Sequence, residues 1–151
     1  MQNRTFQLTR KRLALLVGIA AAVLAAVVLL CSRQGVLSLN YRVQTTEGRQ
    51  AYLHALGWEI DPKSELVRET SVPETFDGMM TDYNAMQRAQ GFDLEPFRGM
   101  PVTVVTYEVT NYPAEGNVCA TLWICGRVVI AGDIHSTAMD GFMHGIVKAG
   151  G

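Results

Sequence analysis

The chain has 151 residues, 48% of them hydrophobic, with 13 Lys and Arg against 14 Asp and Glu, a net charge of −1 and a pI near 6.3. That length holds one ordinary domain and not two. The near-neutral charge excludes the basic excess of a nucleic-acid binder, and three cysteines are too few, and odd in number, for a disulfide scaffold.

The averages conceal a split. From Leu13 to Ser32 the chain runs 20 residues without a charge, LALLVGIAAAVLAAVVLLCS. As a helix, at ~1.5 Å per residue, this covers roughly 30 Å, the hydrocarbon thickness of a bilayer. Arg4, Arg10, Lys11 and Arg12 precede it, and only Arg33 and Arg42 follow closely. The asymmetry predicts a basic cytoplasmic tail over 1–12, a transmembrane helix over 13–32 and an extracytoplasmic remainder. A cleaved signal peptide is the first rival, but its apolar region is usually only ~7–15 residues long. Lipidation at Cys31 is the second, and Leu30 before it is a poor fit, since a small residue is wanted there. An uncleaved single-span anchor, N-terminus inside, is therefore expected, with the lipid bilayer as its partner through Leu13–Ser32.

Beyond Ser32 the chain carries nine Lys and Arg and all fourteen acids, so this part is acidic at −5. Such a surface opposes docking onto nucleic acid or anionic lipid. Residues 33–46 read as a linker with a short strand near Leu37–Val43, and 47–151 as an extracytoplasmic domain. A first helix is expected over Glu47–Leu56, capped by Thr46 and stopped by Gly57, with Ala51, Tyr52, Ala55 and Leu56 on its buried face. Trp58–Ile60 reads as a short strand, Asp61–Ser64 as a turn, and Leu66–Val72 as a return strand with Leu66 and Val67 its apolar positions. A second helix, starting at Pro73 and ending at Gly91, carries the stripe Phe76, Met79, Met80, Tyr83 and Met86. After a loop at Phe92–Met100, Val102–Thr110 is a partly buried strand. Val118, Ala120, Leu122 and Ile124 alternate along the next strand, and Cys125-Gly126 turns it into Arg127–Ala131. The sum is an α+β domain: an antiparallel sheet of about five strands with both helices on one face.

The chemistry-bearing residues form no catalytic set, cofactor-binding site or metal site by spacing alone. Asp61, Glu65, Glu69 and Glu74 read as a solvated face, and acid–base catalysis needs two groups in one pocket. Cys119 and Cys125 lie ~20 Å apart on one extended strand, too far for a disulfide, and read as buried or turn thiols. Asp133–His144 (DIHSTAMDGFMH) is the most loaded stretch. On a helix His135, Met139 and Met143 would share a face suited to copper(I), with His144 adjacent, but Asp140-Gly141 interrupts such a helix. Asp133, His135 and His144 form the alternative, a zinc or hydrolytic site. Trp58, Tyr107, Tyr112 and Phe97, with Asn84, Asp93 and Asn111, are candidates for a groove that takes a peptide or glycan.

Several blocks, in order, carry a resemblance: Gly57–Ile60 (GWEI), Tyr83-Asn84, Gly91–Leu94 (GFDL), Tyr107–Pro113 (YEVTNYP) and Asp140–Gly145 (DGFMHG). Over about Arg49 to Val147 the chain resembles a bacterial domain-of-unknown-function family of small envelope proteins. The resemblance implies an N-terminal anchor, one α+β domain, bacterial origin and envelope placement. It brings no activity, ligand or cofactor. The function expected is thus non-enzymatic binding or scaffolding of another envelope component, against the alternative at Asp133, His135 and His144.

Overall fold

The computed structural model describes residues 41–113 and 117–148. The basic tail, the span Leu13–Ser32, Cys31 and the start of the linker lie outside the described residues. Among the described residues no helix is long and apolar enough to cross a membrane.

Of the short strand expected near Leu37–Val43, only residues 41–43 are described, and they belong to the core without being a strand. Val43 is fully buried and Tyr41 packs edge-on against Tyr52, ring centroids 5.6 Å apart. Helix α1 follows at Thr46–Ala55. Its cap is Thr45, one residue earlier than expected, whose hydroxyl accepts from Gly48 N at 3.1 Å. Gly57 ends the turn with φ +83, a conformation that costs a glycine little. The buried face is Arg49, Tyr52, Leu53 and Leu56, while Ala51 and Ala55 are exposed. The spacing of 3, 1 and 3 is helical; the face was misplaced because a charged Arg49 occupies the stripe.

Trp58–Ile60 is not a strand. Only Ile60 bridges to Val109, and the Trp58 indole instead donates to Ile146 O at 2.7 Å. Asp61 caps a 3₁₀ turn at Pro62–Ser64, as the turn chemistry predicts.

Strands β1 (Leu66–Ser71), β2 (Pro101–Glu108), β3 (Val118–Cys125), β4 (Val128–Ser136) and β5 (Met143–Gly145) form one antiparallel sheet in sequence order. β1 pairs with β2 and not with Trp58–Ile60, and it is an edge strand. Its supposed core positions Leu66 and Val67 are 67% and 49% exposed, because neither helix covers that edge. The β3–β4 turn is Gly126-Arg127, one residue later than expected, with Cys125 paired to Val128. Gly126 at φ +58 supplies the positive first position of a II′-type hairpin.

Helix α2 spans Gly78–Ala89, five residues after Pro73. Its cap is Asp77, whose Oδ1 accepts from Met80 N at 2.8 Å. The expected stripe is rotated: Met79 is 83% exposed, and the most buried side chains are Asn84 and Gln87. Both are bonded through their side-chain oxygens, while the buried Gln87 Nε2 has no partner among the described residues. Asn84 accepts from Leu94 N and donates to Asp93, while Gln87 Oε1 accepts from Gly132 N. Gln90 donates to Gly132 O and accepts from Val147 N. The end of α2 thereby supplies β4 with the partners it lacks where β5 stops at Gly145.

The two helices pack on opposite faces, correcting the single-face expectation. Side chains alternate across a strand. Val105 and Tyr107 of β2, Ala120, Leu122 and Ile124 of β3, and Ile134 of β4 form a core with Tyr52, Leu53 and Leu56 of α1. Val102, Val104, Ile130 and Ala131 form another with Val72 and Leu94, against which Phe76, Met80 and Tyr83 pack. A bulge at Trp123/Ile124 in the β3–β4 register lies between these sets.

Candidate functional site

The α1 face ends in a cluster of rings. Trp58 arrives from the turn after α1, Tyr112 from the segment after β2, and Phe142 and His144 from β5 and the turn before it. Trp58 and Tyr112 stack at 6.0 Å and 15°, Tyr112 and Phe142 at 5.0 Å and 18°, and Phe142 and His144 at 5.6 Å and 9°. The Lys148 ammonium stands 4.2 Å from the Trp58 ring centroid, a cation–π contact. Trp58, Asn111, Tyr112, Pro113, His144 and Lys148 line a cavity of about 860 Å³.

The polar groups of this cavity are mostly spent on holding it in shape. Asn111 Oδ1 accepts from Glu59 N, and its amide donates to Gly57 O. Lys148 Nζ also donates to Gly57 O, at 2.7 Å. His144 Nδ1 lies 2.8 Å from Gly145 O, and a carbonyl only accepts, so the proton sits on Nδ1. Nε2 is then the acceptor of the Tyr112 hydroxyl, 3.0 Å away. What faces the cavity is ring surface and one ammonium.

Of the groove residues expected from sequence, Trp58, Tyr112 and Asn111 do come together. Tyr107 does not: it is fully buried, and its hydroxyl meets Glu65 and Arg49. Burial, then the bond to Glu65, pushes the Tyr107 phenol up to about 12. Glu65, expected on a solvated face, is instead the partner of buried Arg49 at 2.6 Å. Phe97, Asn84 and Asp93 belong to the α2 side. His144, Phe142 and Lys148 were not placed in the groove by sequence reasoning. The signal available was that Phe142 and His144 close the loaded stretch and Lys148 follows it, but only strand pairing brings them to the rings.

The alternative set is split. β4–β5 pairing places Ile134 opposite His144 and His135 opposite Met143, so His144 faces α1 while His135 and Met143 face α2. Asp133, His135 and His144 therefore do not gather in one pocket. Among the described residues no three His, Cys, Asp or Glu side chains converge for a metal ion. His135, Met139 and Met143 do not share a helix either, since Met139 lies fully exposed in the β4–β5 turn. Asp133 and His135 do meet. His135 Nδ1 is 2.8 Å from Asp133 Oδ1, and the Tyr83 hydroxyl donates to Oδ2 at 2.8 Å. The carboxylate bond raises the His135 pKa against the opposing effect of burial. Burial, and then the same carboxylate, drives the Tyr83 phenol far above its ordinary value. Cys119 is buried and Cys125 half-buried, both as free thiols; burial pushes the Cys119 thiol up, helped by Glu108 and Asp133.

Fold and site together define a small α+β domain: an antiparallel meander between two helices, with an aromatic pocket on one face. The DUF4830 family, a domain of unknown function, matches residues 52–134, more than half of the chain, and the chain belongs to it. No curated protein and no solved structure matches the chain.

Proposed function

We propose that this protein is a non-enzymatic binding module of a bacterial cell envelope, anchored in the cytoplasmic membrane by Leu13–Ser32 with its acidic domain outside. Its ligand is an extended peptide segment of another envelope protein, bearing a proline or aromatic ring beside a carboxylate. The observation that carries this reading is the stacked array of Trp58, Tyr112, Phe142 and His144 opening on a cavity whose polar groups are already engaged. A glycan needs several hydrogen-bonding partners, whereas a ring-bearing peptide needs flat apolar surface. The Lys148 ammonium at the rim supplies the one charge a neighbouring carboxylate would meet. The anchor rests on the uncharged 20-residue run and its basic N-terminal flank.

The test uses the full chain in detergent micelles, with Trp123→Phe leaving Trp58 as the fluorescent reporter. Short peptides with proline or aromatic residues beside Asp or Glu should quench or shift that fluorescence at micromolar concentration. Tyr112→Ala should weaken binding at least tenfold, with the circular dichroism unchanged. Binding of oligosaccharides in place of peptides, or indifference to Tyr112→Ala, overturns the ligand class. A reporter fused after Gly151 should be active only outside the cytoplasm, and cytoplasmic activity overturns the orientation.

A further inference from the structure

The face opposite the aromatic pocket carries a row of residues that the proposed peptide binding leaves unused. Register places Cys119 of β3 directly across from His135 of β4, and His135 directly across from Met143 of β5. Residues paired in this way point to the same face, with Cβ atoms ~4.5–5.5 Å apart. Thiol, imidazole and thioether therefore stand side by side on three adjacent strands. His135 and Met143 line the same cavity of about 350 Å³, together with Tyr83, Thr121, Trp123 and Asp133.

We propose that this row is a copper(I) site, with His135 Nε2 and Met143 Sδ as its principal ligands and Cys119 Sγ as the third. Two features beyond ligand type support it. The first is the outer shell. Asp133 only accepts, so the His135 proton is on Nδ1, which leaves the Nε2 lone pair for a ligand, and among the described residues Nε2 has no hydrogen-bond partner. Asp133 is 3% exposed and its other oxygen is held by the Tyr83 hydroxyl, so the ring is aimed by a carboxylate that is itself fixed. This is the support a ligating histidine ordinarily has. The second is Met143, which is 54% exposed on the strand that closes the sheet, where a core role does not account for it. Thioether sulfur with one imidazole selects Cu(I), which accepts two or three ligands, over zinc, which requires four, and the Cys119 thiol gives up its proton to solvent when it joins as the third.

The full chain, in detergent and with Cys31→Ser and Cys125→Ser, is titrated anaerobically with Cu(I) against a chromophoric chelator. Ag(I) serves as a redox-inert probe followed through the Met143 methyl resonance. One equivalent should bind more tightly than micromolar and shift that resonance. His135→Ala and Met143→Leu should each weaken binding at least tenfold, and Cys119→Ser should weaken it to a smaller extent. Met143 is exposed and leucine has nearly its volume, so that variant keeps the fold and isolates the thioether. Binding weaker than micromolar, binding by the Met143→Leu or His135→Ala variant equal to that of the unaltered chain, or preference for Zn(II) overturns the site.

Discussion

Replacing Glu65 with glutamine tests the most buried arginine–carboxylate pair among the described residues. Arg49 lies in the buried face of α1, its side chain 8% exposed, and Glu65 just before β1 is 21% exposed. Arg49 Nη2 meets Glu65 Oε1 at 2.6 Å and Nε meets it at 3.1 Å, while the Tyr107 hydroxyl donates to the same oxygen. Breaking a fully buried pair by removing one partner costs about 3–5 kcal/mol, and an exposed pair is worth roughly 0–1 kcal/mol. The arginine is buried and the carboxylate partly wet. Glutamine keeps one oxygen for the hydroxyl, so the cost falls between these limits, at about 2 kcal/mol. At ~4 °C per kcal/mol for a domain of this size, Tm drops by roughly 8 °C. Burial raises the Glu65 pKa, but hydrogen bonds from Tyr107, Arg49 and Thr46 and the Arg49 charge outweigh it and hold the carboxyl below its usual range. A depressed folded-state pKa gives stability that is complete above the unfolded value, about 4.3, and lost as pH falls through the folded one. Urea unfolding of the full chain, followed by tryptophan fluorescence, should therefore show the full difference at pH 7 and a closing gap below about pH 4. The double change Arg49→Met with Glu65→Leu should cost less than the two single changes added, since no charge is left stranded. A difference at pH 7 under about 0.5 kcal/mol, or one that persists unchanged at pH 3, would refute the reasoning.

Three further outcomes are expected. Gly48→Ala, which in an ordinary helix gains ~0.5–1 kcal/mol, should destabilise here, because the added Cβ meets the Arg42 carbonyl on the backbone; a higher Tm refutes this. Tyr52→Phe should keep or raise stability by up to about 1 kcal/mol, since the buried hydroxyl has no partner among the described residues; a loss above 1 kcal/mol by urea unfolding reveals a partner. Asp133→Asn should lower the His135 pKa, read by NMR titration of its ring protons, because the carboxylate bond is what raises it. In the unaltered chain that pair stabilises the fold below the ordinary histidine value of about 6.5, and the contribution is lost as pH rises through the folded-state value.

The three central strands were legible in sequence because β2 is dense in β-branched residues, β3 alternates at Val118, Ala120, Leu122 and Ile124, and turn residues bound them, whereas the short β5 left no such signal. Both helices were legible too, but their faces were not. Arg49 in α1 and Asn84 and Gln87 in α2 are polar side chains that become buried by finding partners 10 to 58 residues away, which no periodicity records. The opposite placement of the helices was hidden for a related reason. β2 is apolar at both Val104 and Val105, and a two-sided strand tells nothing about which helix takes which side. In the candidate site, Trp58, Tyr112 and Asn111 could be grouped because they are aromatic or turn-forming in resembling blocks. His144 and Lys148 could not, because only the β4–β5 register separates His144 from His135 and turns the last strand toward the rings.

The contact between Trp58 and Ile146 links residues 88 positions apart, almost the whole length of the described chain. Every strand of the meander pairs with its predecessor, so the sheet can form as the polypeptide is made, with little loop to close at each step beyond residues 72–100. Helix α1 cannot be finished in that way. Its apolar side and the Trp58 ring await β4 and the residues from Ile146 on, the latter following all five strands in chain order. Of the two described α-helices, the one earlier in the chain is thus the last to be covered. During that interval its exposed tyrosine, leucines and tryptophan are the surface a chaperone would find, and loss of the residues around Ile146 would leave the Trp58 indole without its partner.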